Sequence, residues 1–273
     1  MTFFQAVVLG VIQGLTEFIP VSSTAHLLIG QAMLGIPAGD RIFAFNVIIQ
    51  MGTVLAMLLF FWKDLFTIVR AFFLGIWHKK PFETHDSLVG WLVIVATLPA
   101  LIVGFLLKDV VDNMFDSPIL VAGLRLLVTA MLLTIVENIG RRERKLESAS
   151  WLDAIVVGSF QVLAIFPGAS RSGSTIAGGL LRGFDRPSSA RFAFLMSAPI
   201  LTAAGAYESL QVILMPGTTE FLPYLVVGFI TAGVVGWLSI RWLMHYLQNH
   251  SLYIFATYCA IIGLICMVIS LFS

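Results

Sequence analysis

Apolar residues run along this chain in stretches of about twenty, each bounded by charged or turn-forming residues. At a rise of about 1.5 Å per residue, about 20 apolar residues in a helix cross a hydrocarbon core of about 30 Å. Six stretches have that length: Phe43 to Phe61, Leu88 to Leu107, Pro118 to Val136, Phe192 to Ser209, Leu222 to Ile240 and Leu252 to Phe272. Each predicts a transmembrane helix. Two further apolar stretches, 1–36 and 151–181, differ from these because polar residues gather in the middle of each.

The composition agrees with a bilayer as the solvent. Of the 273 residues 59% are hydrophobic and 11% charged, too few charges for the surface of a soluble domain of this size. A net charge of +1 argues for no acidic or basic partner, nucleic acid included. Cys259 and Cys266 both lie inside the last apolar stretch, which argues against a disulfide scaffold or a metal-binding cluster. The N-terminus lacks a basic n-region, so no cleavable signal peptide is expected.

Charge then orients the spans. Lys63, Arg70, Lys79 and Lys80 fall in one connection, and Arg141, Arg142, Arg144 and Lys145 in another. Arg182, Arg186 and Arg191 fall in a third, and Arg241 ends the fifth span. By the positive-inside bias these four regions face the cytoplasm. The connections 109–117 and 211–221 are acidic or neutral and face outside. The stretch 151–181 starts and ends at inside clusters, whereas one helix of about 30 residues would be about 45 Å long and would cross. A re-entrant helical hairpin is the expected form there, and likewise in 1–36, with its turn protected by surrounding protein or a water-filled cavity.

An internal repeat points the same way. Ala6 to Gln13 (AVVLGVIQ) resembles Ala154 to Gln161 (AIVVGSFQ), and Phe43-Ala44-Phe45 reappears as Phe192-Ala193-Phe194. The expected fold is therefore an all-α integral membrane protein, one polytopic domain over 1–273, built as an inverted repeat. Repeat 1 covers about 1–140 and repeat 2 about 151–273, each a re-entrant hairpin plus three transmembrane helices, an odd number of crossings that turns the second half upside down.

Polar groups are costly at membrane depth, so where they cluster is informative. The first hairpin gathers Gln13, Thr16, Glu17, Pro20, Ser22, Ser23, Thr24 and His26; the second gathers Gln161, Pro167, Gly168, Ser170, Arg171, Ser172, Gly173, Ser174 and Thr175. If the tips meet, Glu17, His26 and Arg171 share one pocket with several hydroxyls. Such a set suits phosphate: Arg171 offers a permanently charged fork, a helix starting at Arg171 or Ser172 offers N–H groups, and Glu17 and His26 can move protons or contact a metal. Ser23 and His26 stand three apart, on one face of a helix that follows Pro20, and either is a candidate nucleophile. Context alone reads Ser22, Ser159 and Ser197 as bonded within the helices, Arg125 as structural, and His78, His85, His245 and His250 as solvated loop residues. Gly-x-Ser-x-Gly, Walker and Rossmann patterns are absent.

Gln13-Gly-Leu-Thr-Glu17-Phe-Ile-Pro20-Val-Ser22-Ser23-Thr24-Ala25-His26 and Pro167-Gly168-Ala-Ser170-Arg171-Ser172-Gly-Ser-Thr175 resemble the two signatures of the undecaprenyl-diphosphate phosphatases, or bacitracin-resistance proteins. The resemblance extends over essentially the whole chain. It departs at Gln13, where the family often has Glu, and at Ala25, which replaces a Gly; the first change weakens a paired-carboxylate metal site, and the second restricts the backbone at the tip.

The resemblance implies hydrolysis of undecaprenyl diphosphate to the monophosphate and inorganic phosphate, assisted by a divalent cation, magnesium or calcium, on Glu17. It implies Ser23, His26, Glu17 and Arg171 as the catalytic set, with Gln13, Ser22, Thr24, Gly168, Ser170, Ser172 and Thr175 binding substrate. The setting it implies is the bacterial cytoplasmic membrane, with the site opening outward, a role in carrier recycling for peptidoglycan synthesis, and bacitracin resistance. The expected partners are the lipid substrate and membrane lipid, and the sequence is compatible with a homodimer. The alternative is a transporter or flippase of a lipid-linked or phosphorylated substrate, since broken helices in inverted repeats also build alternating access. A passive scaffold does not account for Glu17, His26 and Arg171 at membrane depth.

Overall fold

The computed structural model describes residues 1–111, 117–165, 169–215 and 218–272. Eleven α-helices are present among them, and no strand. They are α1 (Phe3–Thr16), α2 (Ser23–Met33), α3 (Asp40–Phe60), α4 (Trp62–Trp77), α5 (His85–Val111) and α6 (Pro118–Ile139), followed by α7 (Trp151–Val162), α8 (Arg171–Leu181), α9 (Arg186–Leu214), α10 (Thr218–Tyr246) and α11 (Tyr253–Ser270). Six of them, α3, α5, α6, α9, α10 and α11, are long and apolar enough to cross a membrane; they contain four of the six stretches expected from the sequence, and α3 and α11 fall short of the other two by no more than two residues at an end. α1/α2 and α7/α8 form the two expected hairpins.

Local chemistry sets the helix starts. Thr2 and Gln5 make a capping box on α1, and Ser150 and Asp153 make one on α7. Ser117 caps α6 ahead of Pro118, and Asp185 caps α9 ahead of Pro187. Pro99 in α5 and Pro199 in α9 interrupt their helices' hydrogen bonding beside Ala100, Ile200 and Leu201, three residues that wall the central cavity.

The connection that carries Lys63, Arg70, Lys79 and Lys80 holds a helix that the sequence reading did not single out, α4. Its Trp62, Phe66, Phe73 and Trp77 are exposed, Lys63 and Arg70 alternate with them, and none of its residues is buried. This is the pattern of a helix lying along a membrane interface. It follows the preceding apolar stretch without a break, so the sequence carries no boundary between them.

Ion pairs gather the basic connections at one end of the bundle. Asp64 of α4 pairs with Arg191 of α9 at 2.9 Å. Glu137 at the end of α6 pairs with Arg142 and Arg186 and accepts from the Leu252 N–H that precedes α11. Asp153 in the first turn of α7 binds Arg144 at 2.7 Å and Arg182, just past α8, at 2.6 Å. Both carboxylates are almost fully buried, Glu137 at 2% and Asp153 at 0% exposed. Burial alone would raise the Asp153 carboxyl, but hydrogen bonds from Arg144, Ser150 and Arg182 outweigh it and hold the group well below the ordinary carboxylate range. The start of α7 and the end of α8 thus share one end of the molecule.

The first hairpin opens at the other end. The Gln5 side chain donates to the Leu34 carbonyl at 3.3 Å, tying the start of α1 to the end of α2. Phe3 packs on Tyr224 near the start of α10, and Met1, Pro37, Arg41 and Glu220 surround one surface pocket. α10, 29 residues and about 43 Å long, reaches from there to the ion-paired end. The hairpins therefore enter from opposite ends, and their tips meet in between.

Close backbone contact seats each hairpin. A Cβ on Gly10 of α1 would stand 2.9 Å from the Gly228 carbonyl of α10, and a Cβ on Gly158 of α7 would collide with the Ala96 carbonyl of α5. Gly10 and Gly158 occupy matching places in the two similar octapeptides, and α5 and α10 are each the second long apolar helix after a hairpin.

Candidate active site

Between α1 and α2 the chain reverses over residues 17–22. Pro20 cannot continue a helix. Ser22 sits at φ 68°, a left-handed conformation that costs a non-glycine residue about 1–3 kcal/mol. This turn brings the end of α1 onto the first residue of α2. The Ser23 hydroxyl donates to Glu17 Oε2 at 2.7 Å, and the Gln13 amide, one helical turn earlier, donates to the same oxygen at 2.9 Å.

The second hairpin supplies the counter-charge. Ser170 caps α8: its Oγ accepts from the Gly173 N–H at 3.2 Å, while its own N–H donates to Thr129 Oγ1 of α6 at 2.9 Å. Arg171 therefore opens the helix, and its Nη2 donates to Glu17 Oε1. Ser172 Oγ reaches the Ile19 carbonyl of the first tip at 3.4 Å and also contacts Ser170 Oγ at 3.2 Å. Glu17 is buried, and both of its oxygens are held by neighbours.

A cavity of about 260 Å³ opens on this pair, bordered by Glu17, Ser22, Ser23 and Thr24 from one tip and Ser170, Arg171 and Ser172 from the other. A second, of about 310 Å³, shares Glu17, Ser23, Thr24 and Gln50 and continues past Leu27, Leu28, Phe43 and Val47. They adjoin through these shared residues, and each is lined by polar and apolar side chains together, the second also by Gln13, Asn46 and Glu208. Arg171 Nη1 is buried in the wall of the first cavity with no hydrogen-bond acceptor. The free ends of the α8 N–H groups lie beside it, as at anion sites on helix N-termini.

The structure gathers Glu17, Ser22, Ser23, Thr24, Ser170, Arg171 and Ser172 as expected, with Gln13 behind Glu17. Gly168 lies outside the described residues. Two expectations change. His26 does not hydrogen-bond Ser23: its Nδ1 lies 2.8 Å from the Ser22 carbonyl and its Nε2 2.8 Å from the Tyr258 hydroxyl of α11, whose ring it stacks on. The carbonyl one turn back takes the ring nitrogen that would otherwise face along the helix. Thr175 is turned into its own helix, donating to the Arg171 and Ser172 carbonyls, and lines neither cavity.

Arg125, read as structural from sequence, lines the first cavity, as does Gln161 of α7. The signal for Arg125 was there in its charge amid an apolar span, and for Gln161 in its match to Gln13 across the repeat. Tyr258, one aromatic residue in an apolar span, carried none.

For a divalent cation the donor set is thin. Among the described residues no three His, Cys, Asp or Glu side chains stand together, and Glu17 already contacts Arg171. The residues do not make a protein-only cage; they suit at most an ion that arrives with phosphate oxygens as its main ligands and takes one from Glu17.

The family model of bacitracin resistance protein BacA matches residues 6–265. The chain belongs to this family. Every described residue of the site lies within that match. Among curated members, the undecaprenyl-diphosphatase of Pelodictyon phaeoclathratiforme is 41% identical over 96% of this chain and 95% of its own. That of Thermomicrobium roseum is 39% identical over the full length of both. That of Myxococcus xanthus is 40% identical over 98% of this chain and 89% of its own.

Proposed function

We propose that this chain hydrolyses undecaprenyl diphosphate to undecaprenyl phosphate and inorganic phosphate in the bacterial cytoplasmic membrane. It thereby recycles the lipid carrier for peptidoglycan synthesis and leaves less target for bacitracin. The observation that carries this reading is the contact set Ser23–Glu17–Arg171 around the buried Glu17, closed across two hairpin tips in a family whose named relatives are undecaprenyl-diphosphatases. The cavity at the two tips suits a diphosphate head, and Leu27, Leu28, Phe43 and Val47 along the adjoining cavity offer apolar surface to the first part of a prenyl tail, the rest of which stays among lipid chains.

In this mechanism Ser23 Oγ attacks the terminal phosphorus as its proton passes to Glu17, the acceptor already 2.7 Å away. The new bond is Oγ–P; the bridging P–O bond breaks, and its electron pair leaves on undecaprenyl phosphate. Arg171 keeps one guanidinium nitrogen on Glu17 and offers Nη1 to the phosphoryl oxygens, with Ser172 and the α8 N–H groups beside it. Water then attacks the phosphoserine, giving inorganic phosphate, and Glu17 returns the proton to Ser23. His26, held between Ser22 and Tyr258, positions the turn that carries Ser23. A magnesium or calcium ion arriving with the diphosphate, with Glu17 as its one protein carboxylate, would offset the substrate charge that Arg171 does not neutralise.

The purified protein in detergent is expected to release phosphate from undecaprenyl diphosphate with no second compartment. A carrier or flippase would release none, and that result would overturn the reading.

The outward opening of the site is part of the proposal. Phe43 near the start of α3 and Glu208 near the end of α9 line the second cavity, toward the end that the charge pattern places outside. The inverted relation of the two halves belongs with it. Single cysteines at Ser117 and Ser148, in a chain lacking Cys259 and Cys266, are expected to label from opposite faces of the membrane. Labelling from one face would remove both the inversion and the outward site.

A further inference from the structure

Arg125 is a half-buried cation with no ion-pair partner among the described residues. It stands in α6, a transmembrane helix, and none of the ion pairs among the described residues includes it. Its Nε is buried without an acceptor in the wall of the 260 Å³ cavity. Gln161 of α7 lines the same cavity at 4% exposure, and its Nε2 is likewise without an acceptor. The Gln161 carbonyl oxygen accepts from Ser197 at 3.4 Å, which leaves the amide nitrogen as the end free for a ligand. Buried donors left unpaired are destabilising, and a charged one more so. Two of them beside Arg171 Nη1 describe a place where an anion completes the structure.

The position of Arg125 is coupled to the site. Its carbonyl accepts from the Thr129 hydroxyl at 2.6 Å, and that hydroxyl oxygen accepts the Ser170 N–H of the α8 cap. The turn of α6 that carries Arg125 and the cap that presents Arg171 are thus held in register. The two cations differ in one respect: Arg171 is paired with Glu17, whereas Arg125 brings an uncompensated charge.

We infer that Arg125 and Gln161 form a second anion subsite, which holds the phosphate remaining on the lipid while Ser23 attacks the terminal one. This inference rests on the proposed phosphatase reading. A guanidinium there faces the leaving group, on which negative charge grows as the bridging bond breaks. The subsite makes the enzyme selective for a diphosphate over a single phosphate, a discrimination that Arg171 alone cannot supply.

The test compares two inorganic probes on the purified protein in detergent. Inorganic diphosphate and inorganic phosphate are each measured as inhibitors of undecaprenyl-diphosphate hydrolysis and, by calorimetry, as ligands of the same protein. Wild type is expected to bind diphosphate more tightly than phosphate. Arg125→Gln is expected to weaken diphosphate about tenfold or more, the loss of one charged hydrogen-bonding contact, and to leave phosphate within about twofold. Gln161→Met is expected to show the same selective loss at about threefold, and it serves if Arg125→Gln does not fold. Equal loss of both anions, no loss of either, or a wild type with no preference for diphosphate would each overturn the subsite. Failure of the phosphatase reading appears separately, as a wild-type protein that releases no phosphate while calorimetry still reports on the anions.

Discussion

Ser23→Ala is expected to remove hydrolysis of undecaprenyl diphosphate, a loss of about four orders of magnitude or more, on the scale seen when a nucleophile is deleted. The substitution deletes one oxygen at a half-buried position and keeps the helix, so yield and thermal stability in detergent should stay near the parent values. Two companions sharpen it. Glu17→Gln removes the acceptor that touches Ser23 and should cost about 100-fold to 10,000-fold. His26→Ala should cost less, because its ring contacts Ser22 and Tyr258 rather than the attacking oxygen. The rival is attack by His26 itself, which would leave an acid-labile phosphohistidine in quenched reactions. Finding that species together with continued turnover by Ser23→Ala would displace the serine mechanism and leave the phosphatase function standing.

Arg171→Ala is the second large effect, expected at about 100-fold or more in rate. Phosphoryl transfer relies on positioning and charge stabilisation, and Arg171 does both, one nitrogen orienting Glu17 and another facing the cavity. Removing it also leaves a buried carboxylate without its cation, which typically costs about 3–5 kcal/mol, so a lower melting temperature should accompany the lost activity. Arg171→Lys keeps the charge but loses the fork. It should fold like the parent and remain impaired, and parent-like turnover by either variant would show that Arg171 does not hold the reacting phosphate.

The spans were legible because an unbroken run of about 20 apolar residues suits little besides a bilayer crossing, and the second hairpin because its flanking charges are alike; the first followed by analogy with it. The site was legible as two polar clusters because Glu17 and Arg171 are too costly at membrane depth to lie apart. What the sequence did not yield depends on rotation about a helix axis. Whether His26 faces Ser23 or Tyr258, whether Thr175 faces a cavity or its own backbone, and whether Arg125 points to water or inward are settled by packing with α11, α6 and α7 rather than by spacing. The partners of the basic clusters were hidden for a related reason: Asp153 and Glu137 look like ordinary helix-end acids until the helices assemble around them.

Those basic clusters act at two times in the life of the molecule. On the proposed topology, Arg142, Arg144, Arg182 and Arg186 are free charges while the chain is being inserted and bias their loops to stay on the cytoplasmic side. Once the helices have packed, the same four side chains are knotted onto two buried carboxylates and fasten the rim of the second hairpin. Biogenesis and the finished fold therefore draw on one set of residues, and a neutral replacement there that did not disturb insertion could still loosen the protein after it has been made.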